Sequence, residues 1–178
     1  MPVQLARDLL VLLAFLVLLF GALAWTLGTV RVVGHSMDPT LADGDLVLLD
    51  RVDYRLHSPA RGDVVILHDP FDPAQDFVKR VVGVPGDHLL IRAGYLYVNG
   101  VRLDEPYVQK PWVLTTNWPA FPTAADGEAV PPGNYFVLGD NRDNSGDSRL
   151  FGYVTRHAIV GRAIARLLPL EHRGSLGR

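Results

Sequence analysis

A hydroxyl and an amine, in two separate short motifs, are the groups of this chain best suited to covalent chemistry. Ser36 sits in Gly34-His35-Ser36-Met37-Asp38-Pro39-Thr40, directly after an apolar run. Lys79 sits in Phe77-Val78-Lys79-Arg80-Val81-Val82-Gly83-Val84-Pro85-Gly86-Asp87. A serine hydroxyl attacks once a base takes its proton, and a lysine is such a base when its surroundings keep it neutral. An ordinary lysine titrates near ~10.4, which leaves roughly 0.04% neutral at pH 7. A shift to about 8 raises that to about 10% and requires around 3 kcal/mol against the ammonium. Burial among apolar groups supplies shifts of that size. Strand alternation puts Lys79 on one face with Phe77 and Val81, and Arg80 on the other with Val78 and Val82. No carboxylate stands two residues to either side of Lys79 to hold its charge. Each motif alone also has a plainer reading: Ser36 as a turn serine before Pro39, Lys79 as a solvated lysine on an edge strand.

His35 is a rival base, but adjacent residues of extended chain point to opposite faces, so it is poorly placed for the Ser36 hydroxyl. His57, His68, His88 and His157 form neither a helical His-x-x-x-His zinc pair nor a ligand cluster. A third segment, Gly139-Asp140-Asn141-Arg142-Asp143-Asn144-Ser145-Gly146-Asp147-Ser148-Arg149, tempts a calcium reading. The EF-hand pattern fails there, because counting from Asp143 puts Ser148 where the loop requires glycine. A tight polar loop tied by Asp–Arg pairs fits better, and it could present Ser145 to a buried amine. No metal and no cofactor is expected. The absence of cysteine removes a disulfide framework, a thiolate zinc site and a cysteine nucleophile. A net charge of −2 gives no electrostatic case for nucleic acid.

The elements that must position these groups begin with Leu9 to Val30, 22 residues without a charge, bounded by Asp8 and Arg31. As a helix this run is roughly 33 Å long, enough to cross a hydrocarbon core of about 30 Å. It exceeds the ~7–15 apolar residues of a cleaved signal peptide, so an uncleaved anchor is expected. Arg7 and the N-terminal amine before it weakly favour a cytoplasmic N-terminus. Trp25 suits an interfacial position.

Beyond the span, short apolar or β-branched runs recur: Val30–Val33, Leu46–Leu49, Val64–Leu67, Phe77–Val84, Leu89–Ile91, Tyr95–Val98, Tyr135–Leu138 and Ile159–Leu168, the last also readable as a helix. Glycine-, proline- and aspartate-rich turns separate them, and Asn99-Gly100 between two such runs predicts a type I′ hairpin. The fold class expected is all-β: a transmembrane helix, then a β-barrel or sandwich-like core with a smaller β insertion. The boundaries expected are a tail over 1–8, an anchor over 9–30 and a catalytic domain over 31–168. An insertion is expected over about 88–133, and a fraying tail over 169–178. Residues 107–133 carry five of the 13 prolines and two tryptophans, and read as irregular structure.

Taken together, the three segments and the anchor resemble a bacterial type I signal peptidase of the single-anchor kind. Gly34 to Thr40 resembles the nucleophile box, Lys79 to Asp87 the box of the general base, and Gly139 to Arg149 the last box. Arg61-Gly62-Asp63-Val64-Val65 resembles a further, structural box. The resemblance implies Ser36 as nucleophile, Lys79 as base and Ser145 as the hydroxyl that orients the amine. By the same resemblance, Asp140, Arg142, Asp147 and Arg149 match structural charged positions of the last box. It also implies a catalytic domain outside the cytoplasm that removes signal peptides from exported preproteins at the bilayer, after an Ala-x-Ala-like pattern. Val32, Met37, Ile66 and Val78 are the expected pocket walls, and Trp112, Trp118 and Phe121 either dip into the interface or form a satellite core. In one departure, some relatives place a serine two residues before the nucleophile as an oxyanion donor. Gly34 stands there here, which leaves the Ser36 backbone N–H as the named donor. Two alternatives stand beside this reading: an anchored, non-catalytic β-domain that binds peptide or lipid, and a self-cleaving Ser/Lys peptidase of the repressor type. The second carries a DNA-binding domain where this chain has its anchor.

Overall fold

The apolar N-terminal run folds as one long helix, α1 (Pro2–Thr26), in a computed structural model that describes residues 2–108, 112, 118 and 125–176. Leu9, Leu10, Leu13, Phe15 and Phe20 are all exposed along it, and Gln4–Gly21 is long and apolar enough to cross a membrane. The helix differs from the expected span at both ends. It takes in Arg7 and Asp8, and it stops at Thr26 because Leu27–Arg31 (β1) leaves to pair antiparallel with Leu46–Asp50 (β2). The Arg51 N–H donates to the Thr26 carbonyl at 3.0 Å, which ties the last helical turn to the end of β2.

The chain then adds a short helix, α2 (Asp53–Leu56), and the strands β3 (Val64–His68) and β4 (Asp76–Gly83). Next come β5 (His88–Arg92), β6 (Tyr95–Val98), β7 (Val101–Arg102) and β8 (Glu128–Ala129). After β9 (Asn134–Leu138) and α3 (Ser148–Phe151) come β10 (Val154–Thr155), β11 (Ile159–Leu168) and β12 (Gly174–Ser175). One sheet runs in the order β1-β2-β11-β3-β4-β9-β10, with β12 on β11; β7-β6-β5-β8 form a second, four-stranded sheet inserted between β4 and β9. The fold is therefore mostly β, as expected, but the large sheet is a curled half-barrel whose ends do not pair.

Local chemistry explains much of this. Asn99 and Gly100 both have positive φ, 53° and 77°, which is the type I′ geometry that joins β6 to β7. Ile159–Leu168 is a strand because tertiary pairing decides for it: it lies between β2 and β3. Its Arg162 reaches Asp53 and Asp63, and its Arg166 reaches Asp45. The C-terminal segment is less free than expected, since β12 pairs with β11 and the Leu176 N–H donates to the Ile164 carbonyl.

Three apolar clusters fill the interior. Val32, Met37, Leu41, Leu49 and Ile66 pack beneath the β1–β2 end, and Val65, Leu67, Val81 and Val137 pack under β3, β4 and β9. Leu89, Ile91, Leu96, Phe136 and Trp112 join the two sheets. Trp112 is 3% exposed, and Trp118 packs on Phe136 with ring centroids 4.3 Å apart. Both tryptophans thus belong to the core and not to a membrane interface, while Phe121 lies outside the described residues.

Candidate active site

β1 delivers the chain to Ser36 and β4 carries Lys79, so two elements from opposite parts of the sheet path create the site. After β1 the backbone turns through Gly34, whose φ is +88° and whose N–H donates to the Asp43 carboxylate at 2.7 Å. A side chain at residue 34 would meet no atom within 4 Å, so glycine serves the backbone conformation there and not a close contact. The turn is then clamped from the last motif. Asn141 donates its backbone N–H to the Ser36 carbonyl at 3.0 Å and its side-chain amide to the His35 carbonyl at 2.9 Å.

Lys79 Nζ lies 2.8 Å from Ser36 Oγ. Lys79 is 3% exposed, the Phe77 ring centroid lies 5.0 Å from its amine, and among the described residues that amine has no carboxylate within 4.0 Å. Burial is the largest influence on it and lowers its pKa to about 8, with Arg149 adding to the fall; Asp147, Asp140 and Asp69 act the other way from a distance. A buried, weakly held ammonium in hydrogen-bond contact with a hydroxyl can give up its proton and then accept one from that hydroxyl.

The other expected residues divide. His35 turns away from Ser36 and bonds Asp38 at 3.1 Å. Val32 and Val78 line a cavity of about 80 Å³ beside Ser36 and Lys79, whereas Met37 and Ile66, each 1% exposed, are core residues behind it. The lining also includes Val30, Val33, Asp76 and Phe77, of which the alternation of β4 around Lys79 flags only Phe77. Ser145 departs from expectation in one respect. Its Oγ is buried and makes no hydrogen bond among the described residues, so the expected bond to the Lys79 amine is not formed.

The charged positions of the last motif form a buried scaffold. Arg80, on the face of β4 opposite Lys79, holds Asp140 through two bonds of 2.8 and 2.7 Å, and Thr40 donates to the same carboxylate at 2.6 Å. Asp147 caps α3, pairs with Arg149 and accepts the Gly139 N–H. Arg142 donates to the Gly139 carbonyl and pairs with Glu105, and both side chains are 1% exposed. Glu105 has no flag in sequence, because its partner is 37 residues away. In the segment Arg61 to Val65, Arg61 pairs with Asp87, and Asp63 accepts from the Tyr54 hydroxyl. No cluster of side chains able to hold a metal occurs among the described residues.

Residues 5–168 match the pattern of the family described as signal peptidase, peptidase S26. The chain belongs to this family of peptidases. Among its relatives, a signal peptidase I of Leptolyngbya laminosa is 37% identical over 150 residues, covering 80% of this chain and 70% of that one. A signal peptidase IB of Staphylococcus aureus is 40% identical over 147 residues, covering 78% and 76%. The crystal structure of a signal peptidase I from Enterococcus faecalis superposes with a TM-score of 0.50 at 35% identity. It covers 60% of this chain and 97% of that one.

Proposed function

We propose that this chain is a Ser/Lys endopeptidase that removes signal peptides from exported preproteins, with Ser36 as nucleophile and Lys79 as general base. The 2.8 Å contact between Lys79 Nζ and Ser36 Oγ, with the amine buried and its pKa lowered to about 8, carries the reading. With the amine neutral, the contact reverses and the hydroxyl donates to the nitrogen lone pair. Ser36 Oγ then bonds to the scissile carbonyl carbon while its proton passes to Lys79. The tetrahedral intermediate collapses, the C–N bond breaks, and the ammonium returns the proton to the leaving amine. Water, deprotonated by the same amine, cleaves the acyl-serine ester and frees the enzyme. The Ser36 N–H has no acceptor among the described residues, which suits it to the developing oxyanion. Ser145, with its buried hydroxyl, is assigned to orienting the ammonium once it forms.

The cavity of about 80 Å³ favours a small side chain, in keeping with cleavage after an Ala-x-Ala-like pattern. α1 anchors the chain in the bilayer with the catalytic domain on the extracytoplasmic side, so that enzyme and precursor share one surface. The test is cleavage of a signal-bearing preprotein by the full chain in detergent. Wild type should cut it, Ser36→Ala and Lys79→Ala should not, and His35→Ala should retain most activity. An active Lys79→Ala beside a dead His35→Ala would overturn the dyad.

A further inference from the structure

A second cavity, of about 540 Å³, opens where α1 meets the sheet, and it shares no lining residue with the one beside Ser36 and Lys79. Arg51, Arg55, Arg156 and His157 line it together with Tyr54 and Ile159. Among the described residues none of the three guanidiniums has a carboxylate within 4.0 Å. The nearby acids are committed elsewhere. Asp50 accepts the N–H groups of Val52 and Asp53, Asp53 holds His57 and Arg162, and Asp63 holds Tyr54 and Arg162. Arg156 lies on the Tyr54 ring, 5.4 Å from its centroid. A chain with a net charge of −2 thus lines one pocket with three arginines that have no carboxylate partner among the described residues.

The place of that pocket indicates what fills it. Arg55 sits 4.4 Å over the ring of Trp25, in the last turn of α1, and the Arg51 N–H bonds the Thr26 carbonyl. Leu9–Thr26, 18 residues, gives a helix about 27 Å long, close to the ~30 Å of a hydrocarbon core. The pocket therefore stands where hydrocarbon gives way to lipid headgroups. Trp25, under Arg55, and Leu56, next to Arg55 in the chain, are 61% and 76% exposed and offer apolar surface to the bilayer. Guanidinium forks match phosphate oxygens in pairs. We propose that this pocket binds the phosphate of an anionic membrane phospholipid and so fixes the height of the catalytic domain over the bilayer. The inference rests on the reading of α1 as a membrane anchor.

The full chain in zwitterionic detergent is titrated with short-chain phosphatidylglycerol, short-chain phosphatidylcholine or inorganic phosphate, and Tm is read. Phosphatidylglycerol should raise Tm saturably, and the other two should not. Each arginine removed should weaken the half-saturating concentration about fivefold. The Arg51→Gln/Arg55→Gln/Arg156→Gln variant should lose the response while cleaving a soluble peptide at the wild-type rate. Arg156→Gln alone, which leaves both contacts to α1 intact, gives the same reading at one-third of the charge change. An equal response of wild type and the triple variant to phosphatidylglycerol overturns the site. A response to inorganic phosphate as large as that to the lipid overturns the headgroup assignment. Loss of peptide cleavage in wild type would indict the dyad, and extraction of the chain by carbonate would indict the anchor; neither reads out the pocket.

Discussion

The Lys79 amine carries two opposite consequences of one burial. As the proposed base it acts only when neutral, and its pKa is lowered to about 8, so kcat should climb as pH rises through about 8 and level off above. A pH–rate profile on the full chain checks this, and a limb near 6.5 would point to a histidine instead. Stability runs on the same titration. Between about 8 and 10.5 the unfolded chain holds a proton that the folded chain has released, so stability rises with pH across that window. Below about 8 both states are protonated and the full cost of the buried ammonium is present. Lys79→Met should therefore be inactive yet more stable than wild type at pH 7. The gain is on the order of 3 kcal/mol, less about 1 for the lost bond to Ser36. The gap should narrow as pH rises from 8 to 10.5. Thermal melts at pH 7 and pH 10 read both parts, and a Lys79→Met chain that melts below wild type at pH 7 would show the amine to be well solvated. Ser145→Ala, by contrast, should lower kcat about tenfold, since a hydrogen bond gained by the ammonium during the reaction is worth about 1.5 kcal/mol, and should leave the pH limb in place, since Ser145 Oγ is unbonded among the described residues at rest.

At the scale of elements, the site depends on how closely the last motif approaches the Ser36 turn. A Cβ at Gly139 would lie 2.3 Å from Ser145 Oγ and 2.4 Å from the Ser36 carbonyl oxygen. The second is backbone and cannot step aside alone. Gly139→Ala should therefore push the Ser36 turn off the amine and lower kcat about a hundredfold, since displacements near 1 Å cost that much. The far-UV CD spectrum should be unchanged. Glu105→Ala acts through the same motif by leaving Arg142 buried without its partner, which should cost about 3–5 kcal/mol in a denaturation experiment. The sequence made some of this legible and hid the rest, for a physical reason. The β6–β7 hairpin is written in its Asn-Gly turn, and the placement of Phe77 beside Lys79 in the alternation of β4, because both are local. Glu105 holding Arg142, Asn141 clamping Ser36 and Arg80 holding Asp140 join residues 37, 105 and 60 positions apart, and no period reports such pairings. The end of α1 was hidden for the same reason, since Leu27 to Val30 is apolar enough for a helix and becomes strand only through β2.

At the scale of the whole molecule, the proposed function divides catalysis and location between two parts of the chain. From Leu9 to Thr26, α1 carries eight Leu, two Phe and two Val. At about −0.3 to −0.6 kcal/mol each, they favour insertion by roughly 4–7 kcal/mol. An arginine near the centre of the span costs about 2.5–3.5 kcal/mol, so Leu12→Arg with Leu16→Arg cancels most or all of that preference. Both residues are exposed on the helix, 53% and 49%. The double variant should move from the carbonate-resistant to the carbonate-extractable fraction while cleaving a short soluble peptide at the wild-type rate. On a membrane-tethered precursor its rate should fall a hundredfold or more, because the shared surface no longer raises the effective concentration of one for the other. The ratio of the two rates is the informative quantity. A variant that loses both activities has a damaged fold, whereas one that loses neither shows that the 25-residue helix does not locate the enzyme. Loss of the tethered substrate alone assigns the helix to placement and leaves the chemistry to the half-barrel that holds Ser36 against Lys79.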